Sequence, residues 1–299
     1  MIEIHDLQFG YGRSALYQGF SARVDKPGIY GIFGRNGSGK SSLLKLICGL
    51  LTPWSGRLRV LGWVPRERAA ELLASVYFVA EEFHLPNLTP TQLAATQGVF
   101  YPRFSGQRFE EYLAELEVPA GSRFESMSLG QKKKAAIAFA LATGTPLLLL
   151  DEPTNGLDIV GRARFRQLMQ RPEHADRAVL ISTHQAHDLE SILSHVWFID
   201  GGQLALSAEM AELEQQLQMG VAADVQSLNQ AQLLYQEPMG QQWAYVARRT
   251  RSAANGGDSG GSGGGVQLEL LYKALSLERE RMLAALAPQH QPARAQESA

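Results

Sequence analysis

Residues 31–50 read GIFGRNGSGKSSLLKLICGL, with glycines at 31, 34, 37 and 39 directly ahead of Lys40, Ser41 and an apolar run. Glycine loses more conformational freedom on folding than any other residue, so such a cluster needs a reason. Two readings fit: a flexible loop that happens to hold a lysine, or a cradle whose backbone closes around a phosphate. Upstream, SARVDKPGIYGIFG gives a turn signal and then an apolar strand that runs into the glycines. Downstream, Leu43, Leu44, Ile47 and Leu50 or Leu51 fall at helical spacing. Strand, Gly-rich loop and helix is the context in which Gly34–Ser41, GRNGSGKS, carries meaning as G-x-x-x-x-G-K-[ST]. The candidate phosphate-binding residues are Gly34, Arg35, Asn36, Gly37, Ser38, Gly39, Lys40, Ser41 and Ser42. Backbone N–H groups and the positive helix N-terminus converge on the anion, Lys40 neutralises β- and γ-phosphates, and the Ser41 hydroxyl can ligate Mg²⁺. Alone, the motif leaves the loop reading open.

The bulk numbers narrow the classes. The chain has 299 residues, 45% of them hydrophobic, enough for a sizeable core and two domains. Net charge is −2, so no global basic excess advertises nucleic acid as a partner. The single cysteine, Cys48, sits in LLKLICGLL and reads as a core residue; no intrachain disulfide is possible, which suits a reducing compartment. The start, MIEIHDLQFGYG, has no signal-peptide pattern, and the apolar stretch at 135–150 is interrupted at Thr143–Pro146. The expectation is a soluble chain that, if it serves a membrane, does so from outside the lipid.

IEIHDLQF opens on the Ile2, Ile4 alternation of a half-buried strand. From about Leu85 to Gly144 the pattern is mostly helical, with Thr89–Pro90 as N-cap and first helical residue. PLLLLD (146–151) and RAVLIST (177–183) are continuous apolar strands separated by a polar helix, the pattern of a parallel sheet buried on both faces. Beyond Gly201–Gly202 come a short polar helix, MAELEQQL, and a strand, QQWAYVARR. Residues 255–265, NGGDSGGSGGG, read as disordered; VQLELLYKALSLERERMLAAL reads as one helix over 266–287, and the end as an unstructured tail.

The acidic partner of the cradle comes at the end of LLLLDE. Asp151 can hold the Mg²⁺ shell while Glu152, pointing another way, addresses an attacking water. The plainer reading is a carboxylate pair capping a strand in solvent. His184, after RAVLIST, can reach a γ-phosphate or be a surface or core residue. Between these lies MSLGQKKKAAIAFALA, and with it the chain resembles an ABC transporter ATPase over roughly residues 1–207. Met127–Gln131 stands for the family's Leu-Ser-Gly-Gly-Gln signature, DEPTNGLD (151–158) for its magnesium-site motif and D-loop, and His184 in STHQAHDLE for its switch histidine. Tyr11, in FGYGRSAL, falls where the family stacks an aromatic on adenine.

The resemblance implies an α/β P-loop NTPase fold with a mostly parallel core sheet, an N-terminal antiparallel β-subdomain and a helical subdomain at about 85–144. A small α+β extension at 208–299 would follow. It implies ATP and Mg²⁺ as cofactors, with catalysis by Lys40, Glu152 and His184. Nucleotide contacts would come from Tyr11, the cradle, and Ser128, Gly130, Gln131 and Asp158; metal contacts from Ser41, Asp151 and Glu81. Two departures stand out: Leu129 replaces a signature glycine, and Glu81 occupies the Q-loop glutamine position in VYFVAEEFHLP. Because the chain holds one P-loop and one signature, the resemblance implies a second ATPase subunit that completes the site, a second copy in a homodimer or else a related subunit. The expected role is to power an integral membrane permease from the cytoplasmic face, as an exporter of drugs, lipids or peptides, with no nucleic acid partner. The alternative is a non-transport ABC ATPase acting on ribosomes or nucleic acid, whose tandem cassettes, coiled coils or zinc sites the sequence lacks. Lys132–Lys134 read as a solvated face.

Overall fold

The computed structural model describes residues 1–224, 226, 228–249 and 265–286. Apart from Gly265, the Gly/Ser-rich loop and the expected tail lie outside these residues. The chain divides into two compact units, the first ending at Met210.

The first unit opens with β1 (Ile2–Tyr11), β2 (Ser14–Val24) and β3 (Gly28–Phe33), followed by α1 (Lys40–Ile47) and β4 (Ser55–Val60). β2, β1 and β4 form a three-stranded antiparallel sheet in that order. Along β1 the buried positions switch from Ile2 and Ile4 to Leu7 and Phe9. A register shift beside Asp6, whose φ of 47° is left-handed, inserts the extra residue that keeps both halves facing the core.

Next come α2 (Ala70–Leu73), β5 (Val76–Val79), α3 (Pro90–Gln97), α4 (Gly106–Glu115) and α5 (Leu129–Ala142). Thr89 caps α3 as its sequence promises: its hydroxyl accepts from the Gln92 N–H at 3.2 Å, and Gln92 returns the bond to the Thr89 N–H at 3.0 Å. In α5 every residue from Lys133 to Ala142 is buried, so the helix has no solvated side along most of its length. That corrects the reading of the lysine cluster. Lys133 is 3% exposed and Lys134 9%, the latter's ammonium 3.5 Å from Asp158.

The core sheet is completed by β6 (Leu147–Asp151), then α6 (Ile159–Met169), β7 (Ala178–Ser182), β8 (His195–Asp200) and β9 (Gln203–Glu209). Its order is β5-β6-β7-β3-β8-β9, parallel except for the β8–β9 edge pair. β6 and β7 are buried at every position, which is why their sequences run apolar rather than alternating. The C-terminal ends of β3, β6 and β7 lie side by side and carry the Gly-rich loop, Asp151–Glu152 and Thr183–His184. Cys48 is only partly buried, at the C-cap of α1, and burial pushes its thiol up to about 11.

Where α4 meets the segment before β7, a polar cluster is buried. The Tyr112 hydroxyl donates to Glu173 Oε1 at 3.1 Å and lies 3.4 Å from His174 Nε2, while His174 Nδ1 lies 3.4 Å from Arg177. Arg177 also donates to the Thr145 and Leu141 carbonyls at 3.0 and 3.3 Å. Burial, and then the Arg177 charge, lower the His174 pKa from 6.5 to about 4. Between pH 6.5 and 4 the unfolded chain therefore takes up a proton that the folded chain refuses. Stability is expected to be unaffected by this group above pH 6.5 and to fall by up to about 3 kcal/mol on acidification to pH 4. Denaturant melts of the wild type and His174→Gln at pH 7 and pH 4.5 check this, because the variant must lose less stability between them.

The second unit begins one residue into α7 (Met210–Gln216) and continues through β10 (Leu217–Ala222), β11 (Leu233–Met239) and β12 (Gln242–Arg248). These three strands form an antiparallel sheet with β12 in the centre. Helices α8 (Leu268–Leu277) and α9 (Arg279–Leu286) pack on β11 and β12. The single helix expected at 266–287 is thus broken. Glu278 leaves the helical conformation, so that α8 buries Leu271, Ala274 and Leu275 and α9 separately buries Met282 and Ala285.

Candidate functional site

The loop from Gly34 to Gly39 links the end of β3 to α1, and Gly39 caps the helix with a φ of 106° that disfavours any side chain. A Cβ there would also come within 2.5 Å of the Tyr17 hydroxyl. That hydroxyl is buried in β2 and donates to the Gly39 carbonyl at 2.8 Å, so Tyr17 props the loop from beneath. Burial drives the Tyr17 pKa up, and the phenol remains a proton donor. Sequence reading had no signal for this contact, which joins residues far apart in the chain.

Above the loop lies a cavity of about 550 Å³. Its lining gathers Tyr11, Asn36, Gly37, Gly39, Lys40, Ser41, Ser42, Glu81, Glu152 and His184, picked from motifs far apart in sequence, while Gly34, Arg35, Ser38 and Asp151 lie behind that lining. Leu16 also lines it, an apolar neighbour of Tyr11 that no motif marks. Tyr11 is 55% exposed, its ring edge-on to Phe9 and its hydroxyl 3.0 Å from Ser42 Oγ. Gly34 and Arg35 contribute through their carbonyls, which accept from Lys40 Nζ at 2.9 and 3.3 Å. Burial lowers the Lys40 pKa, and the charges of Glu152, Asp151 and Glu81 work against that shift. The lysine is a buried cation balanced by acids across the cavity.

Asp151, 3% exposed, accepts from Ser41 Oγ at 2.9 Å and from Ser182 Oγ through the same oxygen. Glu152 is 5% exposed and holds a left-handed φ of 46°, a conformation that costs a non-glycine residue about 1–2 kcal/mol. Its N–H bonds the Ser182 carbonyl at 3.0 Å, and its Oε1 lies 2.8 Å from His184 Nδ1. The other oxygen, Oε2, is buried and without a partner among the described residues, as is the Ser38 hydroxyl in the loop. Buried polar atoms of this kind are costly unless something fills the space beside them. Glu81 Oε1 accepts from Asn155 Nδ2 at 3.0 Å.

The donor set fits Mg²⁺ held jointly by protein and phosphate. Ser41, Asp151 and Glu81 offer hard oxygens, and no cluster of three His, Cys, Asp or Glu among the described residues forms a metal cage. Mg²⁺ characteristically takes one or two carboxylates and keeps its remaining positions for phosphate and water.

Ser128, Gly130, Gln131 and Asp158 do not line this cavity. Ser128 caps α5 in a reciprocal box: its hydroxyl accepts from the Gln131 N–H at 3.2 Å, and the Gln131 side chain accepts from the Ser128 N–H at 3.0 Å. Leu129 at the first helical position is 71% exposed, so its side chain displaces nothing, whereas a Cβ on Gly130 would meet the Gly156 carbonyl at 3.0 Å. A side chain thus has open space at 129 and a close backbone neighbour at 130. Asp158 caps α6 by accepting from the Gly161 N–H at 2.7 Å, the main reason its carboxyl sits below the usual range.

A phosphate cradle backed by a strand-end acid pair, with a capped helix N-terminus outside its cavity, defines a P-loop nucleotide hydrolase. The ABC transporter family profile matches residues 17–155. A putative ABC transporter ATP-binding protein of Archaeoglobus fulgidus is 30% identical over 222 residues, covering 70% of this chain and 75% of that protein. The Nod factor export ATP-binding protein I of Rhizobium etli is 29% identical, covering 68% and 66%. A dimeric ATP-binding cassette solved in a post-hydrolysis state with ADP and phosphate superposes with a TM-score of 0.62 at 24% identity, over 70% of this chain and 98% of that one. The chain belongs to the ABC transporter family, as an ATP-binding and ATP-hydrolysing subunit.

Proposed function

We propose that two copies of this chain hydrolyse ATP between them and thereby drive a separate membrane permease that exports its substrate. The observation that carries the reading is the split site: one cavity gathers the cradle, Glu152 and His184, while Ser128 and the N-terminus of α5 stand outside it. A helix N-terminus with its own cap is an anion site, and a second copy supplies it to the open side of the nucleotide. The cradle amides and Lys40 hold the β- and γ-phosphates, and Ser41, Asp151 and Glu81 would hold Mg²⁺. A Mg²⁺ ion held by these oxygens would supply positive charge to offset that of the transferred group. Glu152 orients and deprotonates water through its unpartnered oxygen, and His184 steadies the glutamate through the other.

The export direction follows the Rhizobium relative, and the permease has a surface to meet. An apolar groove of about 830 Å³ runs beside β5, lined by Leu73, Phe78, Val99, Phe100 and Tyr101, with Val99 and Phe100 about 70% exposed. No helix among the described residues is long and apolar enough to cross a membrane. We place the subunit on the cytoplasmic face, where ATP is found. Purification from membranes tests the reading: the chain should come down with a multi-span protein, and recovery with ribosomes or nucleic acid instead would overturn it.

Tyr11 is expected to stack on adenine with Leu16 beside it. Tyr11→Ala should weaken ATP binding by roughly 1–3 kcal/mol, measured by titration of a fluorescent ATP analogue. Unchanged affinity would return Tyr11 to a scaffold role.

A further inference from the structure

Glu81 puts a carboxylate in the lining of the nucleotide cavity, at the position where the family resemblance implies a neutral glutamine. A buried cation reaches the backbone of the same residue, without a direct ion pair to its carboxylate. Lys133, one turn into α5 from the Ser128 cap, is 3% exposed; its Nζ donates to the Glu81 carbonyl at 3.1 Å and sits 5.5 Å from the centre of the Phe83 ring. A buried ammonium is expensive, and one carbonyl with one aromatic face is thin compensation for it. What offsets the cost is the field of Glu81, Asp151 and Glu152, which raises its proton affinity against the lowering effect of burial. Glu81 is in turn held from the other side by Asn155.

We propose that Lys133 is a positioning residue and the internal counter-charge of Glu81, tethering the Glu81 loop to α5 and cancelling the extra negative charge near the triphosphate. The inference rests on the ATP site described above. Charge and tether are separated by a pair of variants: Lys133→Gln removes the cation while offering a shorter N–H donor, and Lys133→Arg keeps the charge. The effect is largest when no metal screens the phosphates, so the readout is binding of a fluorescent ATP analogue in EDTA.

Lys133→Gln should bind about tenfold more weakly than wild type, the order of effect that a unit charge exerts across roughly 10 Å of protein interior. Glu81→Gln alone should bind more tightly by a similar factor, and the double variant should return to the wild-type value. Lys133→Arg, which keeps the charge, should stay close to wild type. A double variant no better than Lys133→Gln would show a tether without electrostatics and overturn the proposal, as would unchanged affinity in both single variants. If Lys133→Gln fails to fold, Glu81→Gln still decides the matter, since no gain in metal-free affinity sinks the counter-charge. Wild-type binding of the analogue with Mg²⁺ present tests the site itself separately: no binding there refutes the ATP site and not merely the role of Lys133.

Discussion

Lys40→Ala should raise the dissociation constant for ATP at least a hundredfold while the protein stays folded. Lys40 is 7% exposed and its ammonium is spent on two loop carbonyls, so a phosphate entering the cavity finds a cation already desolvated and aimed along the loop. Leaving a buried charge without its partner costs about 3–5 kcal/mol, and the triphosphate becomes that charge once the lysine is gone. Lys40→Met is the better-packed companion, because it retains most of the stem and removes only the ammonium. Calorimetric titration with ATP measures both variants. Wild-type affinity in either folded protein would sink the cradle assignment.

Glu152→Gln should bind ATP normally and turn it over at least a hundredfold more slowly, the range by which a positioned general base contributes. The substitution keeps the Cβ, so the left-handed backbone at φ 46° is no more strained than before. The amide oxygen can still accept from His184 Nδ1, which now lies 2.8 Å from Oε1, and the loop geometry survives. What is lost is the basicity of the second oxygen, buried and unpartnered among the described residues. Since nucleotide would bind and persist, ATP-loaded pairs should accumulate, visible by size-exclusion chromatography with and without ATP. Turnover at the wild-type rate would place the base elsewhere.

How much of this was legible beforehand follows from which interactions are local. The cradle is local: glycine spacing, one lysine and the strand-helix context lie within a dozen residues, and the structure folds them as read. The acid pair was legible because a continuous apolar strand must end somewhere polar. The support around them was not. Tyr17 under Gly39 and Leu16 beside Tyr11 depend on where β2 lies against the loop, which no periodicity encodes. Gln131 was read from the family signature as a nucleotide contact, and its side chain is committed to the cap of its own helix, an S-x-x-Q pattern that capping rules could have found. The lysine cluster misled for another reason. Three charges in a row look solvated, but α5 is buried from Lys133 onward, and Lys133 and Lys134 meet acceptors inside. The break at Glu278 carries no glycine or proline to announce it.

Buried on every side from Lys133 to Ala142, α5 is one continuous helix about 20 Å long. Its far end is pinned: Arg177 bonds the carbonyls of Leu141 and Thr145, and through His174 and Tyr112 reaches α4. A rod held at one end amplifies. A tilt of about 10° at the Arg177 anchor swings the Ser128 tip through roughly 3–4 Å, given the helical rise per residue. That sweep exceeds the length of a hydrogen bond. A small change of angle at the anchored end therefore becomes a displacement of several ångströms, on the order of a hydrogen-bond length or more, at the Ser128 end.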